Sequence, residues 1–260
     1  MSQRPPGTCP ITEEETPMAN YVLVHGAWHG GWCWRDVAAL LRAQGHVVVT
    51  PTHTGVGERA HQSNEAITLE THVRDVVGAI EAEELDDVIL CGHSYGGMVI
   101  TAVADRLPGR VRAMVYLDAF VPNEGDSLIR LLEAALPPEV AQVFVGGFRG
   151  SAREHHSGMM APIPAEVFNV SAQHRAWVDR RCVPQALATF ETPLLLSGGG
   201  LETVGRRIYV LADGWDPSPF RHFAAMMSTR PDWTVVKVPC GHDVMVDMPE
   251  ALAGLLAELA

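Results

Sequence analysis

The sequence predicts a doubly wound α/β fold: one mainly parallel sheet, helices on both faces, and a lid inserted between two of the strands. Three observations carry this reading. Short β-branched runs alternate with amphipathic stretches of helical spacing along most of the chain. The runs are continuously apolar, as strands buried on both faces are. The alternation is interrupted once, over residues 121–205, by sequence with Pro, Gly and His clusters, short helical pieces and no convincing sheet strand.

Taken in order, residues 1–17 hold Pro5, Pro6, Pro10 and Pro17 and the acidic run Glu13-Glu14-Glu15. That is linker composition, read as a disordered tail, with the folded unit starting at Met18. Tyr21-Val22-Leu23-Val24 is the first strand, and Trp34 to Ala43 a helix with Val37, Leu40 and Leu41 on one face. His46 to Thr50 is a strand, Leu69 to Glu81 a helix presenting Val73, Val76, Val77 and Ile80, and Asp87 to Cys91 a strand. Met98 to Leu107 is a helix and Val111 to Leu117 a strand. After the insertion come the strand Ile208 to Leu211, a helix from Phe220 to Thr229, the strand Trp233 to Val238 and a last helix, Ala251 to Leu259. The β-α-β order implies right-handed crossovers. A segment of roughly 80 residues bracketed by sheet strands cannot easily close its own core. Residues 18–260 are therefore expected to form one domain with a cap at 121–205.

Composition narrows the function classes. Of 260 residues, 47% are apolar, enough for a full core. Nineteen Lys and Arg against thirty-one Asp and Glu give a formal charge of −12, which excludes a phosphate-backbone footprint and hence a nucleic-acid partner. No apolar run reaches the ~18 residues of a membrane helix. The start, Met1-Ser2-Gln3-Arg4-Pro5-Pro6, lacks the order of a secretory signal. Cys9, Cys33, Cys91, Cys182 and Cys240 are odd in number and scattered, as reduced thiols of a cytoplasmic protein are.

The sharpest chemical signal is Gly92-His93-Ser94-Tyr95-Gly96, which follows a strand and opens a helix. Glycines flanking Ser94 allow a strained strand-to-helix turn that lifts its hydroxyl clear of the sheet. The helix N-terminus there favours developing negative charge. A serine needs a base and an orienting acid, and on such folds the chain order is nucleophile, acid, histidine. Of twelve histidines, only His242 in Gly241-His242-Asp243 falls after the last strand and before the final helix. The oxyanion donors are expected at the N–H of Tyr95, after the nucleophile, and in the loop after the first strand. There His25-Gly26 makes the turn and Ala27 is the natural donor.

The segments Val22-Leu23-Val24-His25-Gly26-Ala27-Trp28-His29-Gly30-Gly31-Trp32 and Gly92-His93-Ser94-Tyr95-Gly96-Gly97 resemble the plant methylesterase and hydroxynitrile lyase group of α/β-hydrolases, most of all its bacterial carboxylesterase branch. The similarity runs along nearly all of residues 20–260 and is weakest in the lid. It implies the α/β-hydrolase fold, esterase chemistry, no cofactor, and oxyanion N–H groups at Ala27 and Tyr95. It speaks against lyase activity, because the lyases carry a lysine directly after the catalytic histidine and here that residue is Asp243. The bacterial branch includes enzymes that cleave xenobiotic esters, among them pyrethroids and the benzimidazole carbamate carbendazim.

The acid is left between three aspartates. In the plant relatives it follows the penultimate strand, six residues past a strand tyrosine; counting from Tyr209 reaches Trp215, with Asp216 one residue too far and Asp213 two too near. Asp118, at the end of Val111 to Leu117, resembles the placement in haloalkane dehalogenases, although Ser94 excludes their chemistry. A buried Asp118 needs a partner such as the His242 imidazole, so Asp118 ranks before Asp216, and Asp213 third.

Weaker features complete the reading. Trp28, Phe120, Met159, Trp177 and Trp215 are candidate pocket residues, with Met160 and Phe168 beside them. Those in the insertion serve equally well as lid-to-core packing. His155-His156 and His25…His29 lack a matched third ligand, so no metal is expected. Ser197-Gly198-Gly199-Gly200 lacks the ending of a phosphate loop and reads as a flexible lid exit. The expected function is a cofactor-free serine carboxylesterase for a small apolar ester, acting through an acyl-enzyme. Carbamate or amide cleavage and a non-catalytic binding role are the alternatives. The expected partner is a small-molecule ester or carbamate, without nucleic acid or membrane, and a homodimer is left open.

Overall fold

The structure is a computed structural model describing residues 18–154 and 158–260. The tail expected at 1–17 and the His155-His156 pair lie outside the described residues. Six strands form the main sheet: β1 (Asn20–Val24), β2 (Val47–Val49), β3 (Val88–His93), β4 (Val111–Leu117), β7 (Arg206–Ala212) and β8 (Trp233–Val238). Their order is β2-β1-β3-β4-β7-β8, and every pairing is parallel. The centre of the sheet is buried on both faces, so β3 is buried at all six positions. The edge strand β8 is only partly covered and carries Lys237, a charge that discourages further strand pairing.

The helices are α1 (Arg35–Ala43), α2 (Leu69–Ala82), α3 (Gly96–Arg106), α4 (Leu128–Ala135), α5 (Pro138–Glu154), α6 (Ala172–Asp179), α7 (Ala188–Glu191), α8 (Phe220–Ser228), α9 (Val244–Asp247) and α10 (Pro249–Ala257). Two packed pairs, α1 with α10 and α2 with α3, flank the sheet. In α2 the spacing of Leu69, Val73, Val76 and Ile80 makes one buried face, and Thr68 and Thr71 close a capping box. Helix α3 is buried along almost its whole length, which explains its weak amphipathic pattern.

The differences from expectation are local. Strand β3 runs on to His93 and α3 starts at Gly96, because the turn between them is compressed to Ser94 and Tyr95. The last helix starts at Pro249, whose fixed φ suits a first helical position, and the short α9 precedes it. The insertion does contain strand: β5 (Met159–Met160) and β6 (Gln185–Ala186) pair antiparallel, apart from the main sheet. Two residues per strand leave no alternation to read in sequence. Nor is Ser197–Gly200 a free exit. Ser197 Oγ–H (2.9 Å) and the Gly198 N–H (3.2 Å) donate to the buried Asp105 carboxylate of α3. One hydrophobic cluster runs from Ala19 to Leu259 and includes Leu128, Leu132, Phe148 and Phe190 of the insertion, so 121–205 shares the core of the sheet.

Candidate active site

The carboxyl ends of β1, β3, β4, β7 and β8 converge where the strand order reverses, the usual crevice of an open α/β sheet. At the end of β3, Ser94 is held at φ +54°, in the left-handed region that a non-glycine residue occupies only when its surroundings compel it. The flanking glycines are obligatory: a Cβ on Gly92 would lie 2.7 Å from Gly96 O, and one on Gly96 would lie 2.8 Å from Val24 O. The Ser94 N–H donates to Leu117 O (3.2 Å), and the Gly97 N–H donates back to Ser94 O (3.0 Å). The hydroxyl thus sits at the positive end of α3.

His242 stands in the loop after β8, its N–H donating to Phe168 O (2.9 Å) and its carbonyl accepting His93 Nε2–H (3.1 Å). Its Nδ1 lies 2.7 Å from Asp118 Oδ2. The carboxylate partner assigns the proton to Nδ1 and leaves the Nε2 lone pair free. Asp118 also accepts Trp215 Nε1–H at Oδ2 (2.9 Å) and the Ala212 N–H at Oδ1 (3.1 Å). Burial pushes the Asp118 carboxyl up, and the Trp215 and Ala212 donors oppose that push. Burial also lowers His242 to about 4, so the ring is neutral at pH 7 and able to take a proton. Phe220 stacks on it at 5.0 Å and 7°. Ser94 and His242 line one cavity without hydrogen-bonding to each other in this structure; such bonds commonly tighten only when substrate is bound.

Asp216 is turned outward, its side chain 73% exposed and paired with Arg221. Asp213 is taken by Arg221 and Lys237. Neither meets His242, because the turn after β7 points its carboxylates at α8 and at the edge strand, away from the crevice.

Ala27 and Tyr95 both line the cavity, and their backbone N–H groups have no acceptor among the described residues. The Trp28 N–H, by contrast, is committed to Gln185 Oε1 (2.8 Å). His29 donates from Nδ1 to Ala27 O (2.7 Å) and from Nε2 to Asp243 Oδ2 (3.1 Å). Both partners only accept, so the ring carries two protons and a positive charge. Burial opposes that charge, yet the neighbouring Cys182 and Asp243 raise His29 well above the ordinary range. This buried pair, between residues 214 positions apart, has no signature in the sequence. His93, His242 and Asp243 bring one donor atom each within 4.8 Å of one another. With His93 Nε2 and His242 Nδ1 already committed and a cationic His29 adjacent, the cluster has the character of a proton network, not of a cation site.

The cavity is walled almost entirely by apolar groups. From the sheet side come Trp28, Phe120, Trp215 and Phe220, and from the insertion Phe144, Phe148, Phe168 and Phe190. Phe144 and Phe148 were legible in principle as an i,i+4 apolar pair on one helix. Phe190, in the four-residue α7, was not. Met159 and Trp177, expected in the pocket, lie outside it. Met159 is in β5, with its sulfur facing the Ser63 hydroxyl. Trp177 packs edge-on against Trp32 and under the Arg35 and Arg181 guanidiniums, because its turn of α6 faces α1.

Fold and crevice define a class, and sequence comparison agrees with it: residues 21–255 match the model of the "Alpha/beta hydrolase family". The chain belongs to that family. It is 69% identical over 242 residues to a carbendazim hydrolyzing esterase of Nocardioides sp. (strain SG-4G), covering 93% of this chain and 100% of that one. Methylesterase 10 of Arabidopsis thaliana is 25% identical, over 95% of this chain and 94% of its own. A pyrethroid hydrolase from Sphingobium faniae JZ-2 superposes with a TM-score of 0.69 at 24% identity, covering 94% and 97% of the two chains, which shows the shared fold. No helix among the described residues is long and apolar enough to cross a membrane.

Proposed function

We propose that the protein is a serine carboxylesterase for small, neutral aryl esters, with the benzimidazole carbamate class as a second substrate group. Ser94 Oγ attacks the carbonyl while His242 Nε2 takes its proton, and Asp118 orients and stabilises the imidazolium. The Ala27 and Tyr95 N–H groups hold the oxyanion; each such donor typically contributes about 3 kcal/mol. The alcohol leaves with the proton from His242, and water activated by the same ring releases the acyl group. Residues 121–205 act as the lid, since Phe144, Phe148, Phe168 and Phe190 close the cavity from that side.

The observation that carries this reading is the joining of Ser94, the His242–Asp118 pair and two uncommitted N–H donors around one apolar cavity. An aromatic wall with no charged side chain beyond the His242–Asp118 pair suits a flat, uncharged substrate and rejects an ionic one. The carbamate class is favoured over amides by the relative that is 69% identical and named for carbendazim hydrolysis. A cytoplasmic location accords with Cys33, Cys91, Cys182 and Cys240, all free among the described residues. Turnover of para-nitrophenyl acetate by Ser94→Ala tests the mechanism. The expected loss is at least about 10⁴-fold, and activity within about tenfold of the parent contradicts it.

A further inference from the structure

We infer that the backbone around Ala27 is held by a clamp in which Gln185 of the insertion and the His29–Asp243 pair grip the same peptide unit, so that both act as positioning residues for the oxyanion donor. The inference rests on the serine-hydrolase reading above.

The Ala27 N–H can point at a reacting oxygen only if the peptide planes on either side of Ala27 are fixed. On the amino side, Gly26 O accepts His25 Nδ1–H (2.8 Å), and His25 Nε2 in turn accepts the His53 N–H (3.1 Å). In a trans peptide this carbonyl and the Ala27 N–H point in opposite directions, so anchoring one aims the other. On the carboxyl side, the Ala27–Trp28 peptide is gripped at both ends. His29 Nδ1–H donates to its carbonyl (2.7 Å), and its N–H donates to Gln185 Oε1 (2.8 Å).

Trp28 pays a conformational cost for this, with φ at +62° in a non-glycine residue, a state that persists only where neighbours over-determine it. The neighbours are the short strands of the insertion. Trp28 Nε1–H donates to Met160 O (3.2 Å), and Trp28 O accepts the Val183 N–H (3.1 Å). Gln185 is 1% exposed, and its orientation is fixed from behind. Its Nε2–H donates to Thr189 Oγ1 (2.8 Å), whose own proton goes to Ala186 O (2.7 Å). Gln185, Thr189 and His29 do not themselves line the cavity. Gln185 therefore acts through the Ala27–Trp28 peptide. The oxyanion site is complete only while the β5–β6 pair is seated on Trp28, which couples closure of the insertion to assembly of the catalytic groups.

The test compares Gln185→Met, which keeps the volume and removes the acceptor, with Gln185→Glu, which keeps an acceptor oxygen. Turnover of para-nitrophenyl acetate is measured together with inhibition by an aryl trifluoromethyl ketone, which forms an oxyanion on Ser94, and by the matching carbinol, which cannot. The clamp requires Gln185→Met to lower kcat by about 10- to 100-fold, below the ~10²–10³ lost when a donor is removed outright. KM should stay within about twofold, the ketone should weaken by the same factor as kcat, and the carbinol should be unaffected. Gln185→Glu should recover most of the loss. Parent-like kcat in Gln185→Met overturns the inference. So does equal weakening of ketone and carbinol, which would mark general damage to the pocket. Should Gln185→Met not fold, Thr189→Val loosens the same amide and is judged by the same ratios. Failure of the hydrolase reading looks different: Ser94→Ala would keep its turnover.

Discussion

The carboxyl ends of the sheet strands and the insertion contribute to the same cavity in different ways. At the strand ends, each proposed catalytic group stands on backbone that has little freedom: Ser94 at φ +54°, Asp118 at φ +43°, and His242 tied through both its N–H and its carbonyl. In the insertion, the contributing side chains are phenylalanines and aliphatic residues, and only apolar surface faces the cavity. The contrast assigns chemistry to the sheet and selectivity to the insertion, with Gln185 as the point where the two are joined. Substitutions in the first region, and at Gln185, should therefore act on kcat, and those of the cavity-lining side chains of the insertion on KM.

The largest effect is expected at the acid. Asp118→Asn keeps the shape of the site but favours the wrong histidine tautomer, and kcat should fall by about 10⁴-fold. Asp216→Asn, in the same assay, should stay within about twofold of the parent, because its carboxylate is exposed and bound to Arg221. A reversed ranking would move the acid to the turn after β7.

That uncertainty is where sequence ran out. The turn around Ser94 was readable because its requirements are local, Gly92 and Gly96 lying within two residues of the serine. The strands were readable because their apolar runs are continuous. The acid could not be settled by counting, since β4 and β7 are neighbours in the sheet and both end near His242. What separates Asp118 from Asp216 is side-chain company, with Trp215 and Ala212 holding one inward and Arg221 drawing the other outward. The pocket was harder still. Met159 and Trp177 had the right chemistry, but two-residue strands and short helices carry no period that says which way a side chain faces.

The second expected effect is loss of the fold in mild acid, which distinguishes stability from chemistry at the strand ends. Burial holds His25 near 3 and His72 near 4. Each has a nitrogen that accepts a proton from a fixed donor, the His53 N–H for His25 and the Tyr95 hydroxyl for His72, so a second ring proton would face a donor. A depressed histidine contributes full stability above its unfolded value of about 6.5 and loses it as pH falls, because only the unfolded chain takes up the proton. Between pH 6.5 and 5 these two rings alone should cost about 3 kcal/mol together, a large part of a typical ~5–15 kcal/mol. His53 and His93, also buried and lowered, add in the same direction. His29, raised, gives its stability in full below 6.5 and does not offset the loss. Near-ultraviolet circular dichroism and kcat/KM should therefore fail together near pH 5, before His242 titrates at about 4. A chain that stays folded at pH 4 would show that these histidines are not held neutral.

The smallest effect is expected in the insertion. Phe148→Leu removes part of the aromatic wall and should raise KM for aryl esters a few-fold, with kcat within about twofold. A drop in kcat of tenfold or more would mean that the cavity wall of the insertion does more than select.

The claim that the strand ends perform nucleophilic catalysis is tested most directly by titration with a fluorophosphonate, followed by peptide mass analysis. One label per chain is expected, on the peptide carrying Ser94, with turnover lost in proportion to labelling. Full labelling of Ser94 with turnover intact, or inactivation through a label elsewhere, would contradict it.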